Sequence, residues 1–204
     1  MWERVGAIGD PGVPFADLVS RYAEPWRVYH TLGHIDAMIA DFDELGRAPK
    51  QPEPVRLDNI EMAIWYHDIV YDTHTKDNEE RSAEVFRSVA EACGLADGFV
   101  GCVVRLILGT KHVAASTDPE SAALCDIDLG ILGQPESVFD EYERGIRKEY
   151  DWVSDQQFRA GRAAILLSFI QRPAIYSTDY FRDKYEEKAR RNLGRSIDIL
   201  SGRG

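Results

Sequence analysis

The sequence predicts an all-α fold. Three observations carry that prediction: apolar residues recur at helical spacing along most of the chain, short polar loops punctuate them, and no segment alternates as a half-buried strand. Pro14 to Ala23 reads as a first short helix that stops before Pro25. A second, from about Trp26 to Leu45, places His34, Met38, Phe42 and Leu45 on one stripe, with Ile35 and Ile39 beside it. Ala48 to Pro54 is a loop, and a third helix follows with Leu57, Ile60, Ile64 and His67 in register. Asp72 to Asp77 is a polar turn, and Asp77 or Asn78 caps a helix running to about Cys93, before Gly94. Phe99 to His112 is apolar enough for a strand or a helix; its helical neighbours favour a helix, with Val104, Leu108 and His112 on one line. Pro119 opens a helix over Glu120 to Leu132. Ser137 to Tyr150, Ser154 to Gln171 and Tyr180 to Leu200 complete the chain.

At 204 residues the chain is expected to form a single domain over 1–204, with a core over about 15–135 and C-terminal helices over about 137–200 packed on it. Hydrophobic residues at 44% and charged residues at 29% are ordinary for a globular protein. Roughly 70% of the unfolded surface can be buried at this size, so no disulfide is required. The charge is 24 basic against 35 acidic residues, net −11, which disfavours nucleic acid and anionic lipid as partners. The segment from Phe181 onward is +3 and the remainder −14, a balance that a solvated amphipathic helix explains. No run of 18 apolar residues exists to cross a membrane, and the start MWERVGAIGDPG lacks the apolar run of a signal peptide. Cys93, Cys102 and Cys125 form no C-x-x-C pair and lie in apolar stretches, as reduced buried thiols do. A soluble cytoplasmic protein is expected.

The chain has five histidines, His30, His34, His67, His74 and His112, and two of them, His34 and His67, fall on apolar stripes. A buried imidazole needs a partner on each nitrogen, which a metal on one and a hydrogen bond on the other supply. Asp68 follows His67 directly, so an ion shared by both lies off the flank of that helix and draws its other ligands from neighbours. The segment LCDIDLGIL offers a further acid. Asp128 shares a stripe with Leu124, Cys125, Ile131 and Leu132, whereas Asp126 shares a less apolar side with Ala122, Ala123 and Gly130. An unpaired buried carboxylate is costly, which favours Asp128 as the one that meets a cation and leaves Asp126 as the alternative.

The order His34, His67-Asp68, Asp128 resembles the H…HD…D pattern of the HD superfamily of metal-dependent phosphohydrolases. The stretches RVYHTLGHIDAM, AIWYHDIVYDTHTKDNEERSAE, LILGTKH, CDIDLGILG and YFRDKYEEKARRNL are similar to a widespread bacterial subgroup of that superfamily. The resemblance implies a helical HD-domain fold. It also implies one divalent transition ion (Mn, Fe, Co, Ni or Zn) held by His34, His67, Asp68 and Asp128, with positions open to water and substrate. Such an ion activates water toward phosphorus and offsets phosphoryl charge. The implied substrate is a small phosphorylated metabolite, nucleotides included.

Asp72 and Glu79 are the candidate water-orienting acids. In the HD-type alarmone hydrolases an acidic pair stands where this chain has Tyr71 and Asp72, and an Asn stands where it has Leu132, which weighs against alarmone hydrolysis. Arg27, His30, Lys111 and His112 are the candidate substrate-binding groups. His112 is also the candidate ligand of a second ion, and His74 reads as exposed in its polar turn. The net negative charge slows an anionic substrate unless the ion and these cations focus the field locally. Two other readings stay open. One is a di-iron HD-type oxygenase, which needs two more histidines between the HD pair and the last Asp. The other is a metal- or nucleotide-binding regulatory module without turnover. A homo-oligomer is compatible with the sequence.

Overall fold

A computed structural model describes residues 1–48, 56–112 and 116–202. They form α1 (Gly12–Tyr22), α2 (Leu32–Arg47), α3 (Leu57–Tyr66), α4 (Asn78–Ala92), α5 (Asp97–Gly109), α6 (Pro119–Asp128), a 3-10 turn (Leu129–Gly133), α7 (Glu136–Glu149), α8 (Asp155–Ile170) and α9 (Asp179–Leu200). No strand occurs among the described residues, so the all-α expectation holds. The expected loop over Ala48 to Pro54 lies, beyond Ala48, outside the described residues.

Short polar side chains set the helix starts. Thr31, Asp118, Ser154 and Thr178 accept hydrogen bonds from the backbone N–H groups of Gly33, Ser121, Gln157 and Phe181, capping α2, α6, α8 and α9. Four boundaries that differ from the sequence reading bear on candidate residues, and one of them is the helix expected over Phe99 to His112, which stops at Gly109 and leaves Lys111 and His112 beyond it. The helix expected from Trp26 begins only at Leu32, because Pro25 and the Thr31 cap leave 25–31 as turns. The third helix stops at Tyr66, so His67 closes it and Asp68 lies in the following turn. The helix expected to run to Leu132 gives way to the 3-10 turn after Asp128.

One apolar core draws side chains from all nine α-helices, including Leu18, Ile35, Ile64, Phe86, Val103, Leu124, Phe139, Leu166 and Leu193. Central α3 packs against α2, α5 and α6, α4 lies on α5, and α9 lies across the 3-10 turn and α8. The approach of α9 requires Gly133, since a Cβ there would collide with the side chain of Tyr185. Five cations of α9 are paired: Arg182 with Asp179, Lys184 with Asp41 and Glu44, Arg190 with Glu186, Arg191 with Glu187, and Arg195 with Asp140. The basic C-terminal segment is therefore largely an internal ion-pair network. Leu108, expected on one helical line with Val104 and His112, is 38% exposed, whereas Val104 is buried. Cys93, Cys102 and Cys125 are free thiols, and only Cys125 is fully buried. No described helix is long and apolar enough to cross a membrane.

Candidate metal centre

Three helix ends meet at one place. His34 stands in the first turn of α2, His67 at the C-terminus of α3 with helical backbone (φ −62°, ψ −39°), and Asp128 is the last residue of α6. Both imidazoles are buried. The His67 Nδ1–H donates to the Ile64 carbonyl at 2.9 Å, which fixes the ring with Nε2 toward the cluster. That Nε2 lies 3.4 Å from His34 Nε2, 3.1 Å from Asp68 Oδ2 and 3.8 Å from Asp128 Oδ1. His34 Nε2 lies 3.2 Å from Asp128 Oδ1 and 3.9 Å from Asp68 Oδ2.

The donor atoms of His34, His67 and Asp68 all fall within 4.8 Å of one another, and the group could hold a metal ion. Asp128 joins it through both histidines. The electrostatics fit the same conclusion. Burial pushes His34 down, and although burial also opposes charge on His67, Asp68 and Asp128 push it up to about 9. Burial works against the Asp68 and Asp128 charges too, but the imidazoles around them hold both below the ordinary carboxylate range. Two carboxylates thus draw positive charge to a point between two imidazoles that cannot both carry a proton at 3.4 Å. That point suits a cation.

The surrounding side chains sort into those that face this point and those that do not. The His112 Nε2–H donates to Asp128 Oδ2 over 2.8 Å, and His112 has left-handed backbone (φ 53°), a conformation uncommon outside glycine. Burial opposes its charge, yet Asp128 pushes it up to about 10. His30 presents Nε2 3.9 Å from Asp68 Oδ2, while its Nδ1 lies 2.7 Å from Glu149 Oε2 and its ring stacks on Tyr71. Glu79 lines both cavities at the cluster. One, of about 280 Å³, holds His67, Asp68, Asp128, Tyr71, Lys76 and Tyr150. The other, of about 400 Å³, is more apolar and includes Tyr29, Lys111, Leu132, Tyr142 and Phe169. His30, Thr110, His112 and Asp128 line both as well. Lys111 reaches the second cavity with its ammonium paired to Glu80.

Two expected residues are placed otherwise. Arg27, a candidate for substrate phosphate, has a wholly buried side chain that donates to Glu24 and to the carbonyls of His30, Asp68 and Ile69. It fixes the turn bearing Asp68 and has no face for a ligand. The reason is local: 25–31 is not helical, so the predicted face does not exist. Asp72, a candidate water-orienting acid, accepts from His74 N and Nδ1 and lines a different cavity beside Trp26 and Trp152. Because α3 ends at Tyr66, the helical spacing from His67 to Asp72 is lost. His74 is exposed and stacks on Trp152, outside the cluster. Of the two extra histidines weighed for a di-iron site, only His112 is present there. Asp126, the alternative to Asp128, is fully used by Ser177 N, Thr178 N and Thr178 Oγ1, at 2.7 to 2.8 Å.

Glu149 is the residue the sequence reading missed. Its Oε1 accepts the N–H groups of Val28, Tyr29 and His30, and its Oε2 accepts the Tyr71 hydroxyl. Burial alone would raise it, but His30 and these N–H donors hold it down to about 2. The signal was there: Glu149 continues the buried stripe Phe139, Tyr142, Ile146, the same interruption that singled out His34.

Compared with known proteins, the chain matches no family model, no curated protein and no solved structure.

Proposed function

We propose that the chain is a metal-dependent phosphohydrolase of the HD type, cleaving a phosphoester or phosphoanhydride of a small metabolite. The observation that carries this reading is the gathering of His34, His67, Asp68 and Asp128 around one point, with His67, Asp68 and Asp128 lining a polar cavity. Two imidazoles and two carboxylates are the mixed donor set that suits Mn, Fe, Co, Ni or Zn. Such an ion, when bound, supplies Lewis acidity that activates water and neutralises phosphoryl charge.

The chain's own residues supply the remainder. His67 is oriented by the Ile64 carbonyl, and Asp68 by the Arg27 contact to its backbone. Glu79, a partly buried carboxylate on both cavities, is the group placed to accept a proton from attacking water. His112, Lys76 and Lys111 supply positive charge along the cavity walls, as a phosphorylated substrate requires in a chain of net charge −11, and His30 adds a ring nitrogen that can hydrogen-bond. Cavities of about 280 and 400 Å³ suit a small molecule rather than a nucleic acid.

The test is phosphate release from a panel of phosphomonoesters, nucleotides and phosphoanhydrides by the Mn- or Co-loaded protein. The expected result is release that needs the metal and falls at least ~100-fold in His67→Ala. Release unaffected by a chelator, or equal in His67→Ala, overturns the proposal.

A further inference from the structure

The two cavities at the histidine–aspartate cluster share His30, Glu79, Thr110, His112 and Asp128 and part beyond them. The smaller continues among polar groups, Thr75, Lys76 and Asn78. The larger, of about 400 Å³, is walled instead by Ile131 and Leu132 of the 3-10 turn, Tyr142 of α7, Ile165 and Phe169 of α8, and Tyr29. Its aromatic wall starts at the cluster: the ring centre of Tyr29 lies 4.9 Å from that of His34 and 4.5 Å from that of Tyr142, and Phe169 lies 6.1 Å from His112. Three polar side chains confined to this cavity are already engaged. Arg162 pairs with Glu143 and donates to the Tyr142 hydroxyl, the Ser168 hydroxyl donates to the Ile165 carbonyl, and Lys111 pairs with Glu80. With Arg162 neutralised, the walls beyond the cluster reward an apolar body more than hydroxyls, base edges or a further phosphate.

We propose that this larger cavity receives the group esterified to the substrate's phosphate, and that the group is apolar: an aryl ring, or a branched alkyl group of that bulk. The inference rests on the hydrolase reading of the metal centre and narrows its substrate class to phosphate esters of a phenol or an apolar alcohol. A phosphoryl group held beside His67, Asp68 and Asp128 lies in the smaller cavity, which these residues line. Asp128 and His112 line both, so the rest of the ester has the larger cavity next to it. The volume lies at the small end of ligand sites, which suits one ring with short substituents. A sugar or nucleoside in its place would turn hydroxyls and ring nitrogens toward side chains already paired, at a cost for each group left unmet.

The test is calorimetric titration of the Mn-loaded full chain with phosphonates, which carry the phosphoryl oxygens and no ester bond to hydrolyse. Phenylphosphonate is expected to bind roughly 10- to 100-fold more tightly than methylphosphonate, because the ring is buried against the larger cavity. The 5′-phosphonate analogue of adenosine monophosphate is expected to bind less tightly than phenylphosphonate. Ile165→Trp, at an exposed wall position, is expected to fill the cavity, removing most of the phenyl advantage and leaving methylphosphonate affinity unchanged. Ile131→Ser, at a half-buried position on the same wall, is expected to reduce that advantage about 3-fold. The proposal is overturned, with the hydrolase reading left standing, by equal affinity for phenyl- and methylphosphonate, by tighter binding of the adenosine analogue, or by Ile165→Trp weakening phenyl- and methylphosphonate alike or neither. Failure of every phosphonate to bind the metal-loaded chain overturns it together with that reading.

Discussion

At the C-terminal end of α6, Asp126 accepts three hydrogen bonds from Ser177 and Thr178, whereas Asp128, two residues on, faces His34, His67 and His112. Both carboxylates sit at the close of one buried helix, yet their surroundings differ in kind. The neighbours of Asp126 are neutral donors that satisfy it and tie the start of α9 to α6; Asp41 likewise ties α9 to α2, through the Lys184 ammonium and the Tyr185 hydroxyl. The neighbours of Asp128 are groups that themselves need a cation or a proton. Burial alone therefore does not distinguish an anchoring carboxylate from one proposed to meet a metal. What distinguishes them is whether the partners are satisfied by the carboxylate.

The comparison predicts different outcomes. Asp126→Asn is expected to cost about 2–4 kcal/mol of stability in chemical denaturation, because an amide turns a donor toward backbone N–H groups, with metal binding unchanged. Asp128→Asn is expected to weaken metal binding at least ~100-fold, and the metal-free protein is also expected to lose stability because the buried His112 is left without its carboxylate. If the two variants exchanged their effects on metal binding, the roles assigned to the two residues would be reversed.

A smaller effect tests the support behind the cavity. Glu149 is held at about 2 in the fold against an ordinary value of 4.5. A lowered folded value means that its contribution is complete above pH ~4.5 and is lost as pH falls toward ~2. Glu149→Gln is therefore expected to be less stable than the native chain at neutral pH by a few kcal/mol at most, with the gap closing across that acidic window. Thermal melts at stepped pH read it directly; a gap constant with pH would contradict the assignment.

The smallest effect belongs to Lys111. Its side chain is 30% exposed and pairs with Glu80 on the surface, so Lys111→Ala is expected to change stability by less than ~0.5 kcal/mol. If the lysine attracts substrate phosphate, KM rises roughly 3- to 10-fold at constant kcat. An unchanged KM would remove it from the site.

The helices were legible because their apolar stripes are long, and His34, His67 and Asp128 because polar residues interrupt those stripes. The same reasoning failed where it assumed that a helix continued. Arg27 and Asp72 were assigned by helical spacing across 25–31 and beyond Tyr66, where Pro25, the Thr31 cap and the end of α3 break the register. Glu149 was overlooked because a charged residue at the end of an amphipathic helix reads as solvated, although its stripe is buried.

The central claim is that four side chains from α2, the end of α3 and the end of α6 hold one ion. Elemental analysis of the purified chain after supplementation with a divalent transition metal tests it most directly, beside His67→Ala treated identically. The account predicts about one ion per native chain and none retained by the variant. No bound metal in the native chain, or the same metal content in His67→Ala, would contradict it.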